Sequence, residues 1–126
     1  MRKDLTSKLY LRFPDIFKGH KKPVTESLMA FGLECGDGWF QLIFELCEAL
    51  EKQSDLEGVE MPEARQIKEK FGGLRIYVSG TTKSMLDIID RAEDKSETIC
   101  EICGETGKVY KTRGWMKTRC LKHQDI

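Results

Sequence analysis

Cys100 and Cys103 are separated by two residues, and after a gap of sixteen residues Cys120 and His123 repeat that spacing. Nothing else in the chain restricts its fold as strongly. A tight turn brings both donors of such a pair onto one ion, and a second pair completes a tetrahedral shell. Gly104, directly after Cys103, supplies the backbone freedom that a turn around a metal needs. Cys100, Cys103, Cys120 and His123 form a Cys₃His set with no position left for water, the pattern of a structural zinc ion rather than a catalytic one. A redox C-x-x-C is the alternative, and the doubled spacing favours zinc.

The remaining composition fits one modest core. At 126 residues, with 40% hydrophobic and 33% charged residues, the chain reads as a single globular domain over 1–126. Within it we expect a helical and hairpin body over 1–95 and a zinc-binding module over 96–126. No apolar run is long enough for a membrane span, and the positive N-terminus is followed by no apolar stretch of the kind a signal peptide requires. Metal-type cysteine spacing without an export signal points to a reducing cytoplasm. Cys35 and Cys47 lie in apolar context and read as small buried side chains.

Charge sums to zero but is unevenly spread. Residues 1–22 hold seven Lys/Arg against Asp4 and Asp15, a balance of +5. Residues 34–69 hold ten acids against Lys52, Arg65 and Lys68, a balance of −7. Residues 106–124 hold six Lys/Arg and no acid, a balance of +6. A basic segment around a zinc knuckle is the electrostatic footprint of nucleic-acid binding, although the acidic middle must then face away from the polyanion.

The pattern along the chain predicts an α+β fold: a helical N-terminal half, a central β-hairpin, one further helix, and a C-terminal zinc ribbon or treble-clef-like module. Leu5 to Phe17 reads as a short helix or apolar arm broken at Pro14. His20 falls in a polar loop, and a short helix follows Pro23 with Thr25 as its cap. The best helix spans about Asp37 to Gln53, capped by Asp37, with Trp39, Ile43, Leu46, Cys47 and Leu50 on one apolar stripe. After Thr82 another helix turns Met85, Leu86, Ile89 and Ala92 inward.

Between those helices, residues 66–80 read as a hairpin whose turn is Gly72-Gly73, since glycines meet the positive φ of a tight turn. Pairing Phe71 with Leu74 then puts Ile67, Phe71, Leu74, Ile76 and Val78 on the core face, with Glu69 the one misfit. Lys68, Lys70, Arg75 and Tyr77 gather on the other face. A helix running through Phe71 is the competing reading, and it would scatter those cations. In the zinc module, Lys108 to Trp115 reads as strand-turn-strand. Trp115 is expected to pack beside the metal; the alternative is base stacking, for which Arg113, Lys117 and Arg119 interleave suitably.

Four segments taken together, Glu34–Phe40, Lys68–Arg75, Cys100–Gly104 and Gly114–Cys120 with His123, resemble in order and spacing a family of small, mostly uncharacterised zinc-binding proteins of tailed bacteriophages and prophages. The resemblance runs from about Phe31 to His123. It implies an accessory protein acting in a bacterial host's cytoplasm and carries no catalytic residues. The residues offer no Ser/His/Asp set and no phosphate-binding glycine loop, so the expected function is binding rather than catalysis. Three partners fit. A nucleic acid or nucleotide would engage Lys68, Lys70, Arg75, Tyr77, Arg113 and Trp115. A host protein, of defence or regulation, would meet the acidic stretch 34–69. A phosphorylated small molecule would be sequestered by Lys68, Lys70 and Arg75, with Tyr77 or Trp115 against a base.

Overall fold

The computed structural model describes residues 1–126 and is a mixed α+β fold, with helices concentrated in the first half and two hairpins after them. Helix α1 (Lys3–Arg12) stops just before Pro14, which cannot continue it. Leu9, Phe13, Ile16 and Phe17 from this arm are fully buried in the core. The helix expected after Pro23 is instead a single 3₁₀ turn, Leu28–Phe31, and its cap is Ser27 rather than Thr25. Ser27 Oγ accepts the Met29 N–H at 3.2 Å, and Gly32 ends the turn with φ at 76°. Only Met29 of that turn is buried, too small an apolar face to carry a helix.

Helix α2 (Phe40–Glu57) presents the expected stripe, with Leu42, Ile43, Leu46, Cys47 and Leu50 buried. It starts three residues later than the sequence suggests. Asp37 to Trp39 form a 3₁₀ turn, and Asp37 does not cap the helix. Its carboxylate accepts the Arg2 N–H at 2.7 Å and so ties down the N-terminal arm. Cys35 and Cys47 are buried as expected. Burial, with Glu101 nearby, pushes the Cys35 thiol up to about 12, and burial pushes Cys47 up as well.

The central sheet has the order β1-β2-β3. Strand β1 (Leu33–Glu34) runs parallel to β2 (Glu63–Lys70), and β3 (Gly73–Ser79) is antiparallel to β2. Lys70 pairs with Gly73, so the turn is Phe71-Gly72 and not Gly72-Gly73. Phe71 therefore leaves the core face and stands 67% exposed. The two faces otherwise sort as the alternation predicts: Lys68 pairs with Arg75 and Gln66 with Tyr77 on one side, while Ile67, Leu74 and Ile76 are buried on the other. Glu69, the misfit, curls back so that its Oε2 accepts the Gly72 N–H at 2.7 Å.

Helix α3 (Lys83–Ser96) has Thr82 as its cap, and Met85, Ile89 and Ala92 are buried. Leu86 does not turn inward and is 48% exposed. The helix covers the outer edge of β3. Glu93 Oε2 accepts the Ile76 N–H and Ser96 Oγ accepts the Leu74 N–H, both at 2.9 Å, so these edge amides are not left free to pair with another strand. The C-terminal ribbon is β4 (Lys108–Thr112) and β5 (Trp115–Arg119), joined by Arg113-Gly114. No helix is long and apolar enough to cross a membrane.

Candidate metal centre and the groove beside it

The Cys/His spacing folds as it reads. Donor atoms of Cys100, Cys103, Cys120 and His123 all lie within 4.8 Å of one another, a cluster that could hold a metal ion. Cys120 Sγ is 3.2 Å from His123 Nδ1, while Cys100 Sγ to His123 Nδ1 and Cys103 Sγ to Cys120 Sγ are each 3.7 Å. A tetrahedron with metal–ligand bonds of ~2.0–2.3 Å has edges of ~3.3–3.8 Å, so these separations suit one closed shell with Nδ1 as the imidazole donor. Gly104, with φ at 83°, completes the turn after Cys103.

The thiols are already biased. Burial opposes ionisation of Cys100, but the backbone N–H groups of Cys120, Cys103 and Ile102 outweigh it and bring its pKa down to about 6. Cys103 shifts upward: the Glu105 N–H favours its thiolate, yet burial and the neighbouring Cys120 and Cys100 sulfurs prevail. Sulfurs packed this closely resist carrying several negative charges together unless a cation sits among them.

The glycine-rich segment before α2 is the mould for this knuckle. Gly38 N–H donates to the Glu101 carbonyl at 2.8 Å, and Trp39 Nε1 donates to the Ile99 carbonyl at 2.9 Å from a fully buried ring. A Cβ on Gly38 would overlap the Cys100 carbonyl oxygen, and one on Gly36 would overlap that of Glu101. Glu101 itself bridges three elements. Its Oε2 accepts the Gly36 N–H at 2.9 Å, and its Oε1 pairs with Arg119 Nη1 at 3.2 Å, both side chains being mostly buried. A second tether joins the ribbon to the central hairpin, where Thr118 Oγ1 donates to the Gly72 carbonyl at 2.6 Å.

The charge blocks are altered by pairing. Arg2 lies against Asp37, Arg12 grips Glu51 with both terminal nitrogens, and Lys22 meets Glu63 at 3.0 Å. The basic arm thus answers part of the acidic stretch, leaving less of either for a partner. Arg119, counted among the surface cations by its sequence, is 7% exposed and committed to Glu101.

One open groove, of about 510 Å³, lies between the tips of the two hairpins. Lys70 and Phe71 come from the central hairpin, and Lys111, Trp115 and Met116 from the ribbon. Trp115 does not pack beside the metal; it is 72% exposed. Lys70 Nζ stands 5.7 Å from the centre of the Phe71 ring. Glu69 is the one acid lining the groove, and one of its oxygens is occupied by the Gly72 N–H.

Of the six residues expected to bind a partner, Lys70 and Trp115 meet in this groove. Lys68 and Arg75 pair across the adjoining sheet face, where Glu34 stands opposite Lys68 and Arg75 donates to the Leu74 carbonyl. Arg113 is exposed at the ribbon turn. Tyr77 lines a different recess with Arg65, Gln66 and Val24, and does not join them. Sequence reasoning missed Phe71, Lys111 and Met116; the signal for Phe71 was the second two-residue turn that Phe71-Gly72 could form. No protein-family model, curated protein or solved structure matches the chain.

Proposed function

We propose that this protein binds nucleic acid through the groove between its two hairpin tips, on a platform assembled by a structural zinc ion. The observation that carries this reading is that two cations, Lys70 and Lys111, line one cleft together with Phe71 and Trp115, both of which are largely exposed. Cations that track a phosphate backbone, interleaved with aromatics that meet base faces, are the requirement of nucleic-acid binding. Three thiolates and one imidazole in a closed tetrahedral set suit Zn²⁺ above other common divalent ions. With no coordination position open, its part is to hold Cys100, Cys103, Cys120 and His123 together. The setting proposed with this function, a bacterial host's cytoplasm, draws on the resemblance of the four motifs to phage-encoded proteins and on the metal-type cysteine spacing.

The test is a salt titration. Affinity for an oligonucleotide should fall linearly on a log–log plot, with a slope of ~0.7–0.9 per phosphate contacted. Lys70→Glu with Lys111→Glu should weaken binding about tenfold or more and flatten that slope, while zinc content and melting temperature stay near the parent's. Parent-like binding by this double variant would sink the proposal. Elemental analysis of the purified chain should find one zinc per molecule.

A further inference from the structure

Two residues other than glycine have positive φ in this protein, Phe71 at 53° and Arg113 at 51°. Each is the first residue of a two-residue hairpin turn, and each is followed by a glycine with positive φ, Gly72 at 85° and Gly114 at 82°. Turns of this kind favour Asn, Asp or Gly at the first position, because a larger side chain is disfavoured there. A bulky aromatic and an arginine occupy both sites instead. Such an outlier points to what the side chain does for a ligand rather than for the fold. Phe71 also stabilises little by staying where it is, with two-thirds of its surface in water.

Residues from the ends of both hairpins line the same cleft, Phe71 from one and Gly114 with Trp115 from the other, while Arg113 lies outside its lining. Phe71 from the central hairpin and Trp115 from the ribbon both line it and are 67% and 72% exposed; Lys70 and Lys111 also line it, and Arg113 lies two residues before Trp115. The cleft, about 510 Å³, lies within the ~300–1,000 Å³ of ligand-sized sites. In a duplex the base faces are covered by their neighbours, so protruding rings of this kind find no partner there. Unpaired bases offer their faces, and each stacked base adds affinity with little regard to sequence. We propose that the groove is a base-stacking site for single-stranded nucleic acid. Phe71 and Trp115 take unpaired bases, and Lys70, Lys111 and Arg113 take the phosphates between and beside them. This rests on the nucleic-acid reading above and narrows it to unpaired strands.

Trp115 makes the test direct. The other tryptophan, Trp39, is fully buried, so quenching on titration reports Trp115. The full chain with its zinc is titrated with an oligothymidylate and an oligouridylate of about 15 nucleotides, and with a mixed-sequence duplex of equal length. Both single strands should quench tryptophan emission and bind at least tenfold more tightly than the duplex. Trp115→Ala should weaken single-strand binding about tenfold and leave the duplex unaffected. Phe71→Asn is the sharper variant. Asparagine suits the turn, so its melting temperature should equal or exceed the parent's, while single-strand affinity falls by a similar factor. Equal affinity for duplex and single strand, unchanged emission on binding, or full affinity in Phe71→Asn would overturn base stacking while leaving nucleic-acid binding in place. Absence of binding to all three probes would overturn both.

Discussion

Gly38 shows how tightly single positions couple the metal centre to the body. Its backbone lies against the Cys100–Gly104 knuckle with no room for a Cβ, which would meet the backbone of Cys100, Glu101 and Gly104 rather than a movable side chain. Gly38→Ala should therefore cost about 3 kcal/mol or more, near the upper end of overpacking penalties, because the backbone cannot step aside. Thermal melting would register this as a clear drop, accompanied by faster zinc release to a chelating dye; a parent-like melting curve would show the contact to be soft. Arg119 tests the other side of the same knuckle. Removing it leaves the Glu101 carboxylate mostly buried without its counter-charge, so Arg119→Ala should lose ~3 kcal/mol, far more than an exposed pair such as Arg12 with Glu51. Denaturant titration of Arg119→Ala beside Arg12→Ala separates the two cases.

Among the elements, helix α3 guards the edge of β3 with a carboxylate that is partly desolvated. Burial raises the pKa of Glu93, against the Ile76 N–H and the nearby Arg75, which both favour the ionised form. An acid whose folded pKa lies above its unfolded one holds its proton more tightly in the fold. Its contribution to stability is therefore fullest below the ordinary carboxylate range and falls as pH rises through the raised value. Glu93→Gln keeps an acceptor for Ile76 N–H and cannot ionise. Relative to the parent it should gain stability across the weakly acidic range up to neutrality, and chemical denaturation at several pH values would read the difference; parallel profiles would show that Glu93 contributes no such slope.

Elements governed by local pattern were legible from sequence. The α2 stripe follows the helical period, α3 begins after Thr82, and the doubled Cys100/Cys103 and Cys120/His123 spacing makes the ligand cluster. The central turn was not, because local turn chemistry favours Gly72-Gly73, and the fold takes Phe71-Gly72 against that preference. Its register matches contacts from outside the hairpin and from its misfit residue: Thr118 at the Gly72 carbonyl and Glu69 at the Gly72 N–H. The same holds for Gly36 and Gly38, whose partners lie more than sixty residues away. Alternation along a strand survives a one-residue shift of the turn, which is why Lys68, Lys70, Arg75 and Tyr77 still share a face while Phe71 does not stay in the core.

At the scale of the whole molecule, the groove draws residues from each of two elements, and the Cys100–Cys103–Cys120–His123 cluster lies where the second joins the body. Lys70 and Phe71 belong to a hairpin anchored on the 20-residue hydrophobic core, which also takes in α2 and α3. Lys111 and Trp115 belong to the ribbon, held to that body by the Gly36–Trp39 mould and by Thr118 on Gly72. A structural zinc in a small module contributes ~10 kcal/mol or more to its folding, so the ribbon should not keep its place without it. The core, which contains none of the four ligands, should persist. Cys103→Ser should thus lose zinc and nucleic-acid affinity together while retaining most of its helical circular dichroism. In hydrogen exchange, protection should fall over residues 100–123 and also over 36–39 and 71–74, where the ribbon is docked. Faster exchange confined to residues 100–123, with binding intact, would mean that the groove is built without the metal, and the coupling described here would be wrong.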